Sequence, residues 1–211
     1  MIKAEVNLVG TVKRDATMRT DNKTNRQYLS FVMTVNIPDG KGKGRDMEVL
    51  VNMYNAQKND VSLYVEKRRV VAQGSLDIRR KGEDYAFYLT SSHLSTKDVP
   101  EQDSITGELQ FRGRLRNDNV CEVKTDRKGN PFLLFSAFSS EKVGDNFISI
   151  WVRFIRFSDE GEGLETIKPV WMQPKARISV SGDFQISVYD NVFRFSCIVK
   201  RMEEYVKEFN K

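Results

Sequence analysis

The chain has 211 residues, 39% hydrophobic and 30% charged, with a net charge of +5 at neutral pH. That length allows one large domain or two small ones, and the 13 Phe and 7 Tyr make the cores aromatic-rich. Two cysteines, Cys121 and Cys197, are too few for a disulfide framework and imply a reducing compartment. The sequence contains no apolar run of membrane-span length and no leader, so the expectation is a soluble cytoplasmic protein without a membrane partner.

The charge is uneven. Residues 1–100 carry 17 Lys/Arg against 12 Asp/Glu, whereas residues 101–211 carry 17 of each. The whole positive excess therefore sits in the first half, where it suits a polyanionic partner.

The first strand is expected over Glu5–Lys13, with Gly10 where a curved sheet needs a kink. A polar, basic loop follows from Lys13 to Arg26, holding Arg14, Arg19 and Lys23. In the next strand, Gln27–Asn36, Leu29, Phe31, Met33 and Val35 share one face and Tyr28 points to the other. Pro38–Gly44, with three glycines, is a loop carrying Lys41 and Lys43. A third strand, Met47–Tyr54, buries Val49, Val51 and Met53 and turns Glu48 and Tyr54 outward. Val61, Tyr64 and Val65 at i, i+3, i+4 predict a short helix between Asn55 and Arg69. The fourth strand, Arg69–Arg79, has Val70, Ala72, Gly74, Leu76 and Ile78 inside; a hairpin tip with Arg79, Arg80 and Lys81 leads into the fifth, Tyr85–Ser91.

This pattern returns. Gly10 is echoed by Gly113, Phe31 by Phe135 and Gly74 by Gly182, each within similar neighbours, at offsets of 103, 104 and 108. Three landmarks in one order predict two copies of one all-β unit. The boundaries expected are 1–97, 104–201 and a tail 202–211 that reads as a frayed helix. In the second copy the strands are expected at Leu109–Leu115 with Val120–Lys124 beyond a turn, then Pro131–Phe138, Phe147–Phe154, Ala176–Ile186 and Val192–Lys200. An acidic insertion, Ser158–Pro174, takes the place of the helix.

The inventory argues against catalysis. His93 is the one histidine, and Cys/His clusters with metal spacing, a Walker loop and a nucleophile elbow are all absent from the sequence. No catalytic residue, metal or cofactor is therefore expected. Binding to unpaired nucleic acid needs flat side chains for bases and cations for phosphates. The outward aromatics Tyr28, Tyr54, Tyr88, Phe132, Phe138 and Trp151 supply the first, the last beside Arg153. Arg14, Arg19, Lys23, Arg26, Lys43, Arg45, Arg79, Arg80 and Lys81 supply the second, with Lys124, Arg127 and Lys128 at the equivalent place in the second copy.

Asn7–Val12, Met18-Arg19-Thr20, Leu29–Asn36 and Val70–Leu76 resemble the opening and the fourth strand of bacterial single-stranded DNA-binding proteins. The resemblance covers most of the first copy and, more faintly, the second. It implies two tandem OB-fold barrels, each of five strands with a short helix between the third and fourth. It also implies sequence-independent binding of single-stranded DNA in replication, recombination or repair, in a bacterium or phage. Tyr54 matches a stacking aromatic of that family, while Glu48 and Lys81 stand near where two of its tryptophans would be. A homodimer is the assembly implied, as in members with two units per chain. The family's acidic recruiting tip is not matched by Glu203–Lys211, so recruitment of replication proteins does not carry over. On the charge balance, the second copy is expected to serve assembly more than binding. The alternatives are single-stranded RNA binding and an OB-fold protein-interaction module.

Overall fold

The computed structural model describes residues 2–40, 42, 44–118 and 120–205. The chain divides into two compact units: Lys3–Gly107 with Ile186–Arg194, and Glu108–Gln185 with the two ends of the chain.

In the first unit the strands are β1 (Ile2–Thr20), β2 (Gln27–Ile37), β3 (Arg45–Tyr54), β4 (Arg69–Lys81) and β5 (Asp84–Ser95). They run β2-β3-β5-β4-β1, and β1 also pairs with β2, so the sheet closes on itself. The β3–β5 pairing is parallel; β1–β2, β2–β3 and β4–β5 are antiparallel. The interior is the alternating face of each strand: Leu29, Phe31, Met33 and Val35 of β2, and Val70, Ala72, Leu76 and Ile78 of β4, are at most 2% exposed. A five-stranded closed Greek-key barrel of this order is an OB-fold.

The second unit repeats the order with β6 (Ser104–Leu115), β7 (Cys121–Thr125), β8 (Pro131–Val143), β9 (Asn146–Phe157), β10 (Arg177–Tyr189) and β11 (Val192–Glu204). Its strands run β6-β10-β11-β9-β8-β7, closed by β6–β8, with β9–β11 parallel. Where β1 runs unbroken through two bulges, at Val12/Arg14 and Arg14/Thr17, the second unit splits the same stretch into β6 and β7.

Closure rests on glycines. A Cβ on Gly10 would overlap the carbonyl oxygen of Thr34, and one on Gly113 would overlap that of Phe138. Gly74 meets the Thr90 carbonyl in the same way, and Gly182 meets that of Ile198. Beside Gly182 lies the buried Cys197; burial, with Asp183 and Glu108 nearby, pushes its thiol up to about 12.

Three expectations change. Lys13–Thr20 is not loop but strand, because β1 continues and pairs Thr17 with Ser30, Met18 with Leu29 and Thr20 with Gln27. The short helix expected between β3 and β4 is a six-residue 3₁₀ helix, Lys58–Leu63, without a buried apolar stripe. Only Tyr64 of that stripe is buried; it stacks on Phe31 at 5.3 Å and plugs the barrel, while Val65 stays exposed. In the second unit Ile167 and Met172, both fully buried, take that place within turns, and Arg156 pins the acidic insertion through Asp159 and Glu162 at 2.8 and 2.9 Å. Finally, Met202–Glu204 are strand, not helix; residues 206–211 of the tail lie outside the described residues.

Gly10→Ala, Gly113→Ala and Gly182→Ala are each expected to lower stability by about 1–3 kcal/mol, the usual range for overpacking. Gly163→Ala, which meets open space, is expected to stay within about 0.5 kcal/mol. Urea midpoints check this; four equal midpoints would remove the glycines from the account of closure.

Candidate nucleic-acid interface

On the outer face of the first barrel, register places Arg19 (β1), Tyr28 (β2) and Tyr54 (β3) in one cross-strand row. The tyrosine rings lie 5.3 Å apart at 39°. The second barrel repeats the row as Lys124 (β7), Phe132 (β8) and Phe157 (β9), with the rings 6.2 Å apart at 46°. Each row is a cation followed by two aromatics, and Phe157 is 51% exposed.

Further along the same faces the two barrels differ. The first has Thr11, Thr34 and Glu48 in register, and Lys13 forms an exposed ion pair with Glu48. The second has Arg114, Phe138 and Trp151. The Phe138 and Trp151 rings lie 4.9 Å apart, Trp151 is 45% exposed, and Arg116 sits 6.0 Å from its ring centre. That distance is within reach of a cation–π contact. Position for position, the Lys13–Glu48 ion pair in one barrel corresponds in the other to an aromatic pair beside Arg116, which is itself paired with Asp118 at 3.3 Å.

Between these rows the first barrel carries a hydrogen bond from the Ser30 hydroxyl to Asn52 Oδ1 at 2.8 Å. Arg14 stands opposite Val32, and Val32 opposite Leu50, which pairs with Tyr88. Tyr88 has Arg79 5.4 Å from its ring centre, and Arg79 is also bonded to Asp77 at 2.8 Å. In the second barrel Arg153 faces Ser136 across the strands and is exposed.

The turns that follow these cations are built alike. In the first, the backbone N–H groups of Lys23 and Thr24 donate to Asp21 Oδ1 at 2.9 and 2.8 Å. In the second, those of Lys128 and Asn130 donate to Asp126 Oδ1 at 2.8 and 2.9 Å. The Thr24 amide, then that of Lys23, holds the Asp21 carboxyl below its ordinary value. The Asn130 amide does most to lower Asp126. The first turn presents Lys23 and Arg26, both exposed.

Arg45 is placed differently from expectation. Its guanidinium donates to Asp84 at 2.5 Å and to the Asn191 carbonyl at 2.7 Å, and it lies 4.2 Å from the Phe193 ring centre. It is a packing residue of the first unit, not a cation held ready for phosphate. Arg80 and Lys81 are exposed at the β4–β5 hairpin, where Arg80 bonds the Gly82 carbonyl at 3.1 Å. Lys43 lies outside the described residues. Sequence reasoning missed Phe157 and Arg116; shifting Tyr54 and Lys13 by the repeat offset of 103 would have found both.

Among the described residues no group of three or more His, Cys, Asp or Glu could hold a metal ion, and no helix is long and apolar enough to cross a membrane.

Compared with known proteins, the chain matches no family model, and no curated protein matches it. Among solved structures it is similar to the single-stranded DNA binding protein from Thermus aquaticus, at 14% identity and a TM-score of 0.46, over 99% of this chain and 95% of that one. A small single-stranded DNA-binding protein from Streptomyces coelicolor is similar at 19% identity and a TM-score of 0.35, over 45% of this chain and 94% of that one. A Replication Protein A heterotrimer bound to single-stranded DNA has 10% identity and a TM-score of 0.25, over 93% of this chain and 49% of that one.

The two aspartate turns give a pH prediction. Their folded-state pKa values are depressed, so the anchors are present above the ordinary carboxylate value of about 4 and are lost as pH falls through the folded values. The amide protons of Thr24 and Asn130 are expected to titrate with inflections below that value in NMR. Inflections at or above it would contradict the anchoring.

Proposed function

We propose that this chain binds single-stranded DNA without sequence preference, as two OB-fold copies at 1–97 and 104–201, in replication, recombination or repair. Bases stack on the outward aromatics and phosphates sit on the cations beside them. One observation carries the reading. The same row of a cation and two paired aromatics recurs on both barrels, Arg19–Tyr28–Tyr54 and Lys124–Phe132–Phe157, on surfaces where neither core needs it.

Physical magnitudes sort the positions. Base-on-ring stacking is worth about 1–3 kcal/mol per base. An exposed ion pair such as Lys13–Glu48 contributes about 0–1 kcal/mol to the fold and places a carboxylate where a phosphate would come. The Phe138–Trp151 position therefore favours the ligand where its counterpart in the first copy does not. On this reading the second copy, neutral in total, carries the larger share of the stacking. Tyr28, Tyr54 and Tyr88 serve the first copy with Arg14, Arg19, Lys23 and Arg26.

The test is fluorescence anisotropy with a labelled oligo-dT of about 30 nucleotides, long enough for two OB units, against the matching duplex across a salt series. The single strand is expected to bind more tightly, with log K falling by about 0.7 per log unit of salt for each phosphate neutralised. Tyr54→Ala and Trp151→Ala are each expected to weaken binding by about 1–3 kcal/mol. Equal affinity for duplex, or no binding at low salt, would contradict the reading. Tighter binding of oligo-U would move it to RNA.

A further inference from the structure

Strand β6 carries a row of guanidiniums that the aromatic rows leave unexplained. Arg112, Arg114 and Arg116 alternate with Phe111, Gly113 and Leu115; the arginines are exposed, while Phe111 and Leu115 are in the core. Residues two apart on a strand lie about 7 Å apart on one face. Arg177 on β10 stands directly across from Arg114 in register. Like charges directly opposite one another destabilise a sheet, so this placement costs the fold something.

In the first copy the counterpart of Arg177 is Arg69, at the repeat offset of 108. Arg69 is neutralised: it forms an ion pair with Asp103 and also donates to the Pro100 carbonyl at 2.8 Å. Among the described residues no carboxylate forms an ion pair with Arg177. The groove flanked by Arg112, Arg114 and Arg177 has no acidic side chain among the described residues that line it. Its walls are aromatic instead: Phe138 and Phe147 on one side, with Phe147 74% exposed, and Tyr205 on the other. The Arg112 guanidinium lies 5.0 Å from the Tyr205 ring centre.

We infer that this groove is a phosphate track for the nucleic-acid strand, continuing the path from Phe138 and Trp151 along β6 to Tyr205. Arg112, Arg114 and Arg177 take successive phosphates, and Phe147 and Tyr205 offer further faces for bases. The occupant is argued from charge and continuity. Three guanidiniums without a described counter-ion call for a polyanion. Arg114 is in register with Phe138, so the groove shares a wall with the stacking face. The inference rests on the single-strand reading above.

The experiment compares the full chain with a R112Q/R114Q/R177Q variant, using oligo-dT anisotropy over a salt series and tryptophan fluorescence at saturation. The variant is expected to bind at least tenfold more weakly at low salt, with a salt slope shallower by about 2, three phosphates at about 0.7 each. Its fluorescence change at saturation is expected to match that of the wild type, because Phe138 and Trp151 are untouched. Since Arg114 and Arg177 repel, its thermal midpoint should be no lower; Arg112→Gln alone, expected to lower the slope by about 0.7, serves if the triple variant fails to fold. Wild-type affinity and slope in a folded variant would overturn the track while leaving the single-strand reading intact. Absence of oligo-dT binding by the wild type would instead defeat that reading and the track with it. Loss of binding to a poly-glutamate peptide, with oligo-dT binding unchanged, would overturn the track in favour of acidic-peptide docking.

Discussion

Each barrel closes where one backbone presses against another at a glycine. Gly10 under the Thr34 carbonyl and Gly113 under that of Phe138 bring the first strand of each copy onto its second; Gly74 and Gly182 do the same between the fourth and fifth strands. A side chain at any of the four would drive those backbones apart. The contacts therefore set how the strands cross, and the crossing sets register. Register decides which residues meet on the outer face, because a slip of one residue turns every side chain over. The rows Arg19–Tyr28–Tyr54 and Lys124–Phe132–Phe157 are consequences of closure as much as of their own chemistry.

One frame used twice allows the copies to be compared position by position. Lys13 and Glu48 occupy the places of Arg116 and Trp151, and Arg69 with Asp103 corresponds to Arg177, which among the described residues has no such ion pair. In the first comparison both cations have a carboxylate partner, Lys13 with Glu48 and Arg116 with Asp118, and the copies differ in that an aromatic stands where the first has its acid; in the second, the first copy alone satisfies its arginine internally. Summed charge suggests the opposite, since the positive excess lies in residues 1–100. Totals do not separate cations that have a carboxylate partner, such as Lys13, Arg45 and Arg69 in the first copy and Arg116, Lys124, Arg156 and Lys200 in the second, from those directed outward. For a phosphate backbone, arrangement on one face matters more than net charge.

Much of the fold was legible because its causes are local. The two-residue period of Leu29–Val35 and Val70–Ile78 directly reports a half-buried strand, and all of those inward residues are buried. The glycine echoes were legible because the need for a missing Cβ stays at one residue. What could not be read is non-local or irregular. The end of β1 has no clean two-residue period, because two bulges break its alternation. The role of Arg45 depends on Asp84 and Asn191, 39 and 146 residues away. Phe157 lies three residues beyond Phe154, where the expected strand ends, and only the full length of β9 brings it beside Phe132. The β6 arginines are plain in Arg112-Gly-Arg-Leu-Arg116, but their import depends on Arg177 across the sheet.

Trp151 offers the most direct view of the central claim, that bases stack on these outward rings. The chain has two tryptophans, so a Trp171→Phe variant leaves Trp151 as the sole reporter. Titrating that variant with unlabelled oligo-dT at low salt should quench its fluorescence to a plateau, and added salt should reverse the quench. Binding by anisotropy with the Trp151 emission unchanged would show that the strand lies elsewhere, and would contradict the account.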